Sequence, residues 1–155
     1  MTDTAPIAED LPVPVLLARG VARALAQRGY ATLTEFSLAN GRRADVMGLG
    51  RGGELVIVEV KSSVQDFRSD AKWPEYREFC DRFYFAVAED FPQALIPGEC
   101  GLIVADAFGA AILRESPVAA VPAARRKSVI LRFALLGSDR LRRLLDPAAG
   151  DAELF

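Results

Sequence analysis

The sequence predicts a mixed α/β protein, in which helices flank a mixed sheet. Two features indicate this class: three strand-like segments follow one another through tight turns, and helical patterns precede and follow them. The expected order is α-β-β-β-α-β, followed by a β-hairpin and a C-terminal helix. The 155 residues, of which 51% are hydrophobic and 26% charged, suffice for one domain with its own core.

The chain begins with an acidic stretch interrupted by proline, residues 1–12, which predicts a flexible lead-in rather than a secretory signal. Residues 13–147 are expected to form a single domain, and residues 148–155 a short tail. The domain opens with a helix, because Pro14 suits a first helical turn and apolar residues then recur at helical spacing until Gly29.

An antiparallel meander is predicted next. Residues 30–38 alternate in polarity, Asn40-Gly41 is a strong hairpin signal, and residues 44–49 form the second strand. A glycine-rich turn leads into residues 55–61, an aliphatic run dense enough for a strand that is buried on both faces.

The second half of the chain continues to alternate helix and strand. The segment 63–81 has helical character and is broken, kinked or restarted at Pro74. It precedes a strand, a hairpin turning at Phe108-Gly109 and a long helix, predicted at residues 82–88, 100–114 and 123–145.

Composition excludes several kinds of chemistry. The chain has no histidine, which removes Ser-His-Asp and Cys-His catalysis and histidine-bound zinc. Its two cysteines, Cys80 and Cys100, are too few for a disulfide framework and are not spaced as a zinc knuckle. With so few cysteines, a reducing cytoplasm is the simplest expected location. No apolar run is long enough to span a bilayer. Any metal should be a hard ion that prefers oxygen ligands, such as Mg²⁺.

Two charged residues, Glu59 and Lys61, leave the end of the buried strand on one side. Charges in such a place are costly unless they are paired, metal-bound or functional. With the preceding turn centred on Arg51 and Gly52, Asp45 is expected opposite Glu59 to within one residue. The alternative is a surface ion pair between Glu59 and Lys61, with Asp45 as an ordinary hairpin residue.

An acidic residue on one strand and Glu-x-Lys at the end of the next resembles the PD-(D/E)xK nuclease superfamily. The restriction-endonuclease-like core of that superfamily has the element order predicted for residues 14–88. The proline of its motif is absent, since Ala44 precedes Asp45. A second resemblance covers nearly the whole chain and is to the MmcB-type DNA-repair proteins of bacteria. It is carried by Asn40-Gly-Arg-Arg-Ala-Asp45, Val58-Glu-Val-Lys-Ser-Ser63, Asp66-Phe-Arg-Ser-Asp-Ala-Lys-Trp-Pro-Glu-Tyr76, Phe79-Cys-Asp81 and Ala124-Arg-Arg-Lys127.

The superfamily resemblance implies a Mg²⁺ site, with Mn²⁺ as a substitute, formed by Asp45, Glu59 and the backbone carbonyl of Val60. Lys61 would orient the attacking water and stabilise the transition state. The tight hairpin places Glu35 near Asp45, where it either joins the metal shell or remains a solvated strand residue. The implied activity is hydrolysis of DNA phosphodiester bonds in repair.

Basic residues near this site and on the C-terminal helix are candidates for binding DNA phosphates. The alternatives are solvated side chains and, for the helix, an amphipathic element with exposed arginines. These candidates are Arg43, Arg68, Lys72, Arg125, Arg126 and Lys127.

Four further residues follow the site. Asp66 and Asp70 could hold a second metal or a water, but acidic residues near a helix N-terminus are the favoured interpretation. Trp73 and Tyr76 are expected to pack in the core, with stacking on a splayed base as the alternative.

The sequence therefore predicts a Mg²⁺-dependent deoxyribonuclease, with DNA as its partner and no association with membranes. A non-catalytic module of the same fold, binding DNA or a repair protein, is the alternative. Homodimerisation through the hairpin at residues 100–115 stays open.

Overall fold

The computed structural model describes residues 10–148 and residue 150. Residues 1–9 of the predicted lead-in, and all of the predicted tail except residues 148 and 150, lie outside this part of the chain. The main elements are α1 (Val13–Gln27), β1 (Tyr30–Ser37), β2 (Arg43–Gly50), β3 (Leu55–Lys61), α2 (Val64–Ser69), a 3₁₀ helix (Trp73–Phe79), β4 (Arg82–Val87), β5 (Gly101–Ala105), β6 (Ala110–Arg114) and α3 (Ala123–Leu145).

The six strands form one mixed sheet in the order β1-β2-β3-β4-β5-β6. The first three make the antiparallel meander, β4 and β5 run parallel to β3, and β6 returns antiparallel to β5. The predicted fold class and element order are confirmed. In the described part of the chain, no helix is both long and apolar enough to cross a membrane.

Strand β3 is the centre of the molecule, and all seven of its residues are buried. Its register against β2 pairs Val46 with Val58. The same register, continued by one residue, sets Asp45 opposite Glu59, in agreement with the sequence prediction. Charged residues thus reach the end of a strand that is otherwise entirely apolar.

Helix α1 covers one face of the sheet. Its buried side chains, Leu17, Val21 and Leu25, pack on the valines of β2 and β3 that point to this face. The helix comes very close to the β5–β6 turn at Gly20, where an added Cβ would lie 1.9 Å from the carbonyl oxygen of Asp106. The glycine is therefore required by packing, and it fixes α1 against the sheet.

The other face of the sheet is covered by α3 and the 3₁₀ helix. Val129 of α3 is buried in this second core, together with Tyr76 and Phe79 of the 3₁₀ helix. Trp73 stacks on Phe83 with ring centroids 5.9 Å apart. The aromatic residues of the 3₁₀ helix therefore take the predicted core role.

The segment predicted to be helical over residues 63–81 is two short elements. The α2 helix has only six residues and begins after Ser63, whose Oγ accepts a hydrogen bond from the Asp66 amide at 3.0 Å. Pro74 lies at the second position of the 3₁₀ helix, where its missing N–H costs little. A second helical element therefore begins near Pro74, which is one of the alternatives that the sequence predicts.

Candidate metal and phosphate site

Asp45 and Glu59 face each other across the ends of β2 and β3. Each carboxylate accepts a hydrogen bond from the backbone of the opposite strand: Glu59 Oε1 from the Asp45 amide at 2.9 Å, and Asp45 Oδ2 from the Val60 amide at 2.8 Å. These bonds occur where the sheet ladder between the two strands has ended. One oxygen of each carboxylate is thereby fixed, which orients both groups toward each other.

Lys61 is held by the segment that follows it. Its Nζ lies 2.8 Å from Asp70 Oδ2 and 3.8 Å from Asp66 Oδ1, and only 8% of its side chain is exposed. The Glu59–Lys61 surface ion pair of the alternative interpretation is not among the ion pairs of the described residues. Asp66 and Asp70 serve instead as the carboxylate partners of Lys61, a role that their sequence spacing did not reveal.

Burial dominates the electrostatics of the acidic pair. It raises the pKa of Glu59 to about 9, with a further contribution from the neighbouring negative charge of Asp45. Burial also raises the pKa of Asp45. Two carboxylates brought together in this way favour either a shared proton or a bound cation.

Lys61 differs from the acidic pair because its surroundings favour its charged form. Burial by itself lowers the pKa of a lysine, but the hydrogen bond and charge of Asp70 outweigh burial and raise the pKa of Lys61 above its ordinary value. Asp70 is the counterpart: its burial is outweighed by the hydrogen bond from Lys61, and the pKa of Asp70 is lowered. Lys61 is therefore a fixed positive charge beside the acidic pair.

The donor set suits Mg²⁺. Within residues 10–148 and 150, no three His, Cys, Asp or Glu side chains converge as a complete metal shell. Mg²⁺, however, commonly takes only one or two carboxylates from a protein and fills its other positions with water and phosphate oxygens. Asp45 and Glu59 provide that number of hard oxygen ligands, and the buried residue Val60 lies directly beside them.

Two clefts meet at the acidic pair. One, the carboxylate cleft, has a volume of about 380 Å³ and is lined by both carboxylates, Lys61 and Arg43. The other, the α1 cleft, has a volume of about 420 Å³ and lies between α1 and β1. Asp45, Val60 and Pro14 line both clefts, so the site is open from two directions.

Glu35 lines the α1 cleft beside Asp45 but has an unusual backbone. Its φ is 48°, in the left-handed region, and no other non-glycine residue in the described chain has a positive φ. The guanidinium of Arg140 in α3 donates to the carbonyls of Thr34 and Glu35 at 2.6 and 3.0 Å. The register sets Glu35 level with Asp45, between the pairs Thr34–Val46 and Phe36–Ala44, without slip to either side.

Tyr76 ties the β1–β2 hairpin to the 3₁₀ helix. Its hydroxyl donates to the Arg43 carbonyl at 3.1 Å, and next to it Arg42 forms an ion pair with Glu75 at 2.6 Å. Burial, followed by the charges of Glu59 and Asp45, raises the pKa of Tyr76. The hairpin that carries Asp45 is therefore anchored on the side opposite α1.

The candidate phosphate-binding residues divide into two groups. Arg43, Arg68 and Lys72 are exposed, and Arg43 lines the carboxylate cleft. The others belong to α3 and have different surroundings: Arg126 forms a two-bond ion pair with the buried Asp81, Arg125 lies 4.9 Å above the Phe79 ring, and Lys127 is exposed. The packing of Arg126 gives it a structural role that its sequence context did not indicate.

Comparisons with known proteins agree with the whole-chain resemblance. A family model described as DNA repair protein MmcB-like matches residues 10–148. A solved structure of a protein of unknown function from Silicibacter pomeroyi shares 47% sequence identity and has a TM-score of 0.89, covering 92% of this chain and 97% of that one. A comparison with curated proteins finds no match. Because the family model spans most of its length, this chain belongs to the MmcB-like family of DNA repair proteins.

Proposed function

We propose that the protein hydrolyses phosphodiester bonds of DNA in repair, with Mg²⁺ held by Asp45 and Glu59. The observation that carries this proposal is the pair of carboxylates fixed by hydrogen bonds across two strand ends, with the Lys61 ammonium fixed nearby. The arrangement is the one that the PD-(D/E)xK resemblance implies. Family membership supports a role on DNA.

Each residue has a distinct task in this proposal. When bound, the divalent ion supplies Lewis-acid stabilisation of the extra charge on the reacting phosphate. Asp45 and Glu59 hold the ion, and the strand amides hold the two carboxylates. Lys61 places a positive charge and N–H donors beside the phosphate, where negative charge grows in the transition state.

Lys61 is better suited to electrostatic stabilisation than to proton abstraction. Its raised pKa keeps it protonated at neutral pH, so it cannot act there as a general base. Asp70 holds the Lys61 ammonium in place and leaves it charged. After this one bond, two of the three N–H donors of the ammonium stay available.

The carboxylate cleft would bind the DNA backbone. Arg43 lines it, and the exposed Arg68 and Lys72 lie on the chain segment that follows β3. These residues supply positive charge around a site that is itself acidic. Phosphate contacts of this kind position DNA without reading its sequence.

Metal binding and cleavage test the proposal together. Calorimetry should show Mn²⁺ binding to the natural chain and loss of that binding in Asp45→Asn. Branched, nicked and single-stranded DNA should be cleaved with Mg²⁺ or Mn²⁺ by the natural chain and not by Lys61→Met. Asp90→Asn is the matched control, since Asp90 is an exposed acid in the loop after β4. Equal cleavage by the natural chain and an Asp45→Asn, Lys61→Met double variant would refute catalysis.

One observation favours a second function, a DNA- or partner-binding module without catalysis. Lys61 is enclosed by Asp66 and Asp70, which satisfy part of the donor capacity that catalysis would need. A chain of this kind would bind DNA in a salt-sensitive manner but would show no Mn²⁺ binding that either Asp45→Asn or Glu59→Ala removes. The same calorimetric titration therefore separates the two functions.

A further inference from the structure

The α1 cleft has a different chemical character from the carboxylate cleft. Its α1 wall is formed by Pro14, Val15 and Ala18, and its floor includes Val60. Val15 is 42% exposed although it is apolar. An exposed apolar wall next to an acidic site is unusual for a surface that meets only phosphates, which favour charged and polar groups.

The size of this cleft suits one small molecule or one nucleotide unit. Its volume of about 420 Å³ lies within the usual range of ligand pockets, roughly 300–1,000 Å³. It is continuous with the metal site, because Asp45 and Val60 line both clefts. A DNA strand whose reacting phosphate lies at Asp45 would therefore place its neighbouring nucleotides in the two clefts.

The polar groups of the α1 cleft indicate which part of a nucleotide occupies it. Glu35 repels a phosphate but accepts hydrogen bonds from the exocyclic amino groups of bases. Thr34 adds a hydroxyl, and Arg19, one helical turn after Val15, adds one positive charge to the lining. This combination of an apolar wall, a base-edge acceptor and one positive charge favours binding of a base over binding of the DNA backbone.

We propose that the α1 cleft is a subsite for one unpaired nucleotide next to the reacting phosphate, and that the substrate is DNA with a single-stranded or extruded nucleotide. In a duplex every base is stacked and paired, and so cannot enter a pocket beside its own backbone. This inference rests on the proposed function, which places the reacting phosphate of the DNA strand at Asp45. It adds a substrate class that the carboxylate pair does not define.

Binding of a fluorescent base tests the subsite without requiring cleavage. The probe is a DNA hairpin with a short single-stranded overhang that carries one 2-aminopurine, compared with a blunt hairpin of the same duplex, both in the absence of Mg²⁺. The natural chain should bind the overhang hairpin about tenfold more tightly than the blunt one, because one base contact is gained. The 2-aminopurine emission should change on binding.

Two variants locate the effect. Ala18→Phe fills the cleft and should abolish the preference for the overhang and the emission change, with binding of the blunt hairpin unaffected. Val15→Ser alters an exposed wall residue and should reduce the preference for the overhang. It tests the subsite even if Ala18→Phe fails to fold. Ala26→Phe is the control, since Ala26 is exposed on the last turn of α1 and away from the cleft.

The outcomes are distinct from those that test catalysis. Equal binding of the two hairpins, or an overhang preference that survives Val15→Ser and a folded Ala18→Phe, would overturn the subsite. A preference that is lost in these variants supports the subsite even if the chain binds no Mn²⁺ and cleaves nothing, a result that would refute only the proposed hydrolysis.

Discussion

Burial alone would destabilise the charged form of the Lys61 side chain. Only 8% of it is exposed, and its charge is retained because Asp70 lies 2.8 Å away. Removing one member of such a buried pair leaves an uncompensated charge, which is far costlier than removing both. Asp70 therefore decides where the ammonium points, and Asp66, at 3.8 Å and about half exposed, contributes less.

Asp70→Asn should accordingly impair the proposed hydrolysis without impairing the proposed metal binding. The ammonium remains but loses the carboxylate that orients it, so kcat should fall by about 10- to 100-fold, less than the roughly 10²- to 10³-fold expected for removing such a donor altogether. The Mn²⁺ affinity measured by calorimetry should remain within about twofold, because neither metal carboxylate is touched. Asp66→Asn serves as the comparison and should cause a smaller loss. A parallel fall in Mn²⁺ affinity would show that Asp70 acts on the metal site instead.

At the scale of elements, the end of the β1–β2 hairpin departs from regular strand geometry. Leu33 and Phe36 both contribute to the core beneath α3, although residues three apart in a regular strand point to opposite faces. Ala44 and Met47 of the partner strand do the same. The left-handed backbone of Glu35 lies at this break, and it lets the strand bury Phe36 on the side that already holds Leu33.

Glu35→Gly should therefore stabilise the fold. A left-handed non-glycine residue costs roughly 1–2 kcal/mol, and part of the gain is offset by the greater freedom of glycine in the unfolded chain, which leaves about 0.5–1 kcal/mol. Urea unfolding of Glu35→Gly and Glu35→Ala measures the effect, with the alanine variant retaining the strain. If both variants change stability equally, the backbone at Glu35 stores no strain that glycine can relieve.

The same elements show what the sequence could and could not predict. The meander, the buried β3 and the extent of α3 were predicted because turn signals and aliphatic runs are local. The left-handed backbone of Glu35 was not predicted, although the three-residue spacing of Leu33 and Phe36 interrupts the alternation, because a glutamate gives no local sign of a positive φ and the break depends on packing under α3. The ion pairs of Lys61 were missed for a similar reason: Asp70 reaches Lys61 only because α2 ends after six residues.

Asp81 joins the N-terminal end of helix α3 to the sheet. Asp81 is buried and accepts hydrogen bonds from the amides of Leu55 and Val121 at 2.8 and 3.0 Å. Both nitrogens at the end of the Arg126 side chain also bind it, each at 2.6 Å. The start of β3 and the start of α3 thus share one carboxylate.

Asp81→Asn should destabilise the protein in a pH-dependent way. The hydrogen bonds of Arg126 lower the pKa of Asp81 to about 2, below the value of the unfolded chain. A lowered pKa contributes stability above about pH 4 that is lost as the pH falls through 2, worth roughly 2 kcal/mol. Urea unfolding should therefore show the variant less stable than the natural chain at neutral pH and nearly equal to it near pH 2. The exposed Asp90→Asn should show no such convergence, and a constant deficit in Asp81→Asn would contradict the charge argument.

At the scale of the whole molecule, net charge conceals a local asymmetry. The chain has a formal charge of −2, which gives no general attraction to DNA. Arg43, Arg68 and Lys72 are nevertheless exposed on the segments that flank the carboxylate cleft. Bound Mg²⁺ would further reduce the negative charge at this end of the sheet. Attraction of a phosphate backbone is therefore expected in this region.

The salt dependence of DNA binding tests whether the DNA backbone lies in this region. Each phosphate contact releases condensed counterions, and the slope of log K against log salt changes by about 0.9 per contact on a duplex and about 0.7 on a single strand. Replacing Arg43, Arg68 and Lys72 together by alanine should flatten the slope by roughly two to three. Arg51→Ala is the matched control, because Arg51 is exposed in the β2–β3 turn, at the opposite end of β3 from Glu59 and Lys61. An unchanged slope in the triple variant, or an equal change in Arg51→Ala, would place the DNA backbone on another surface.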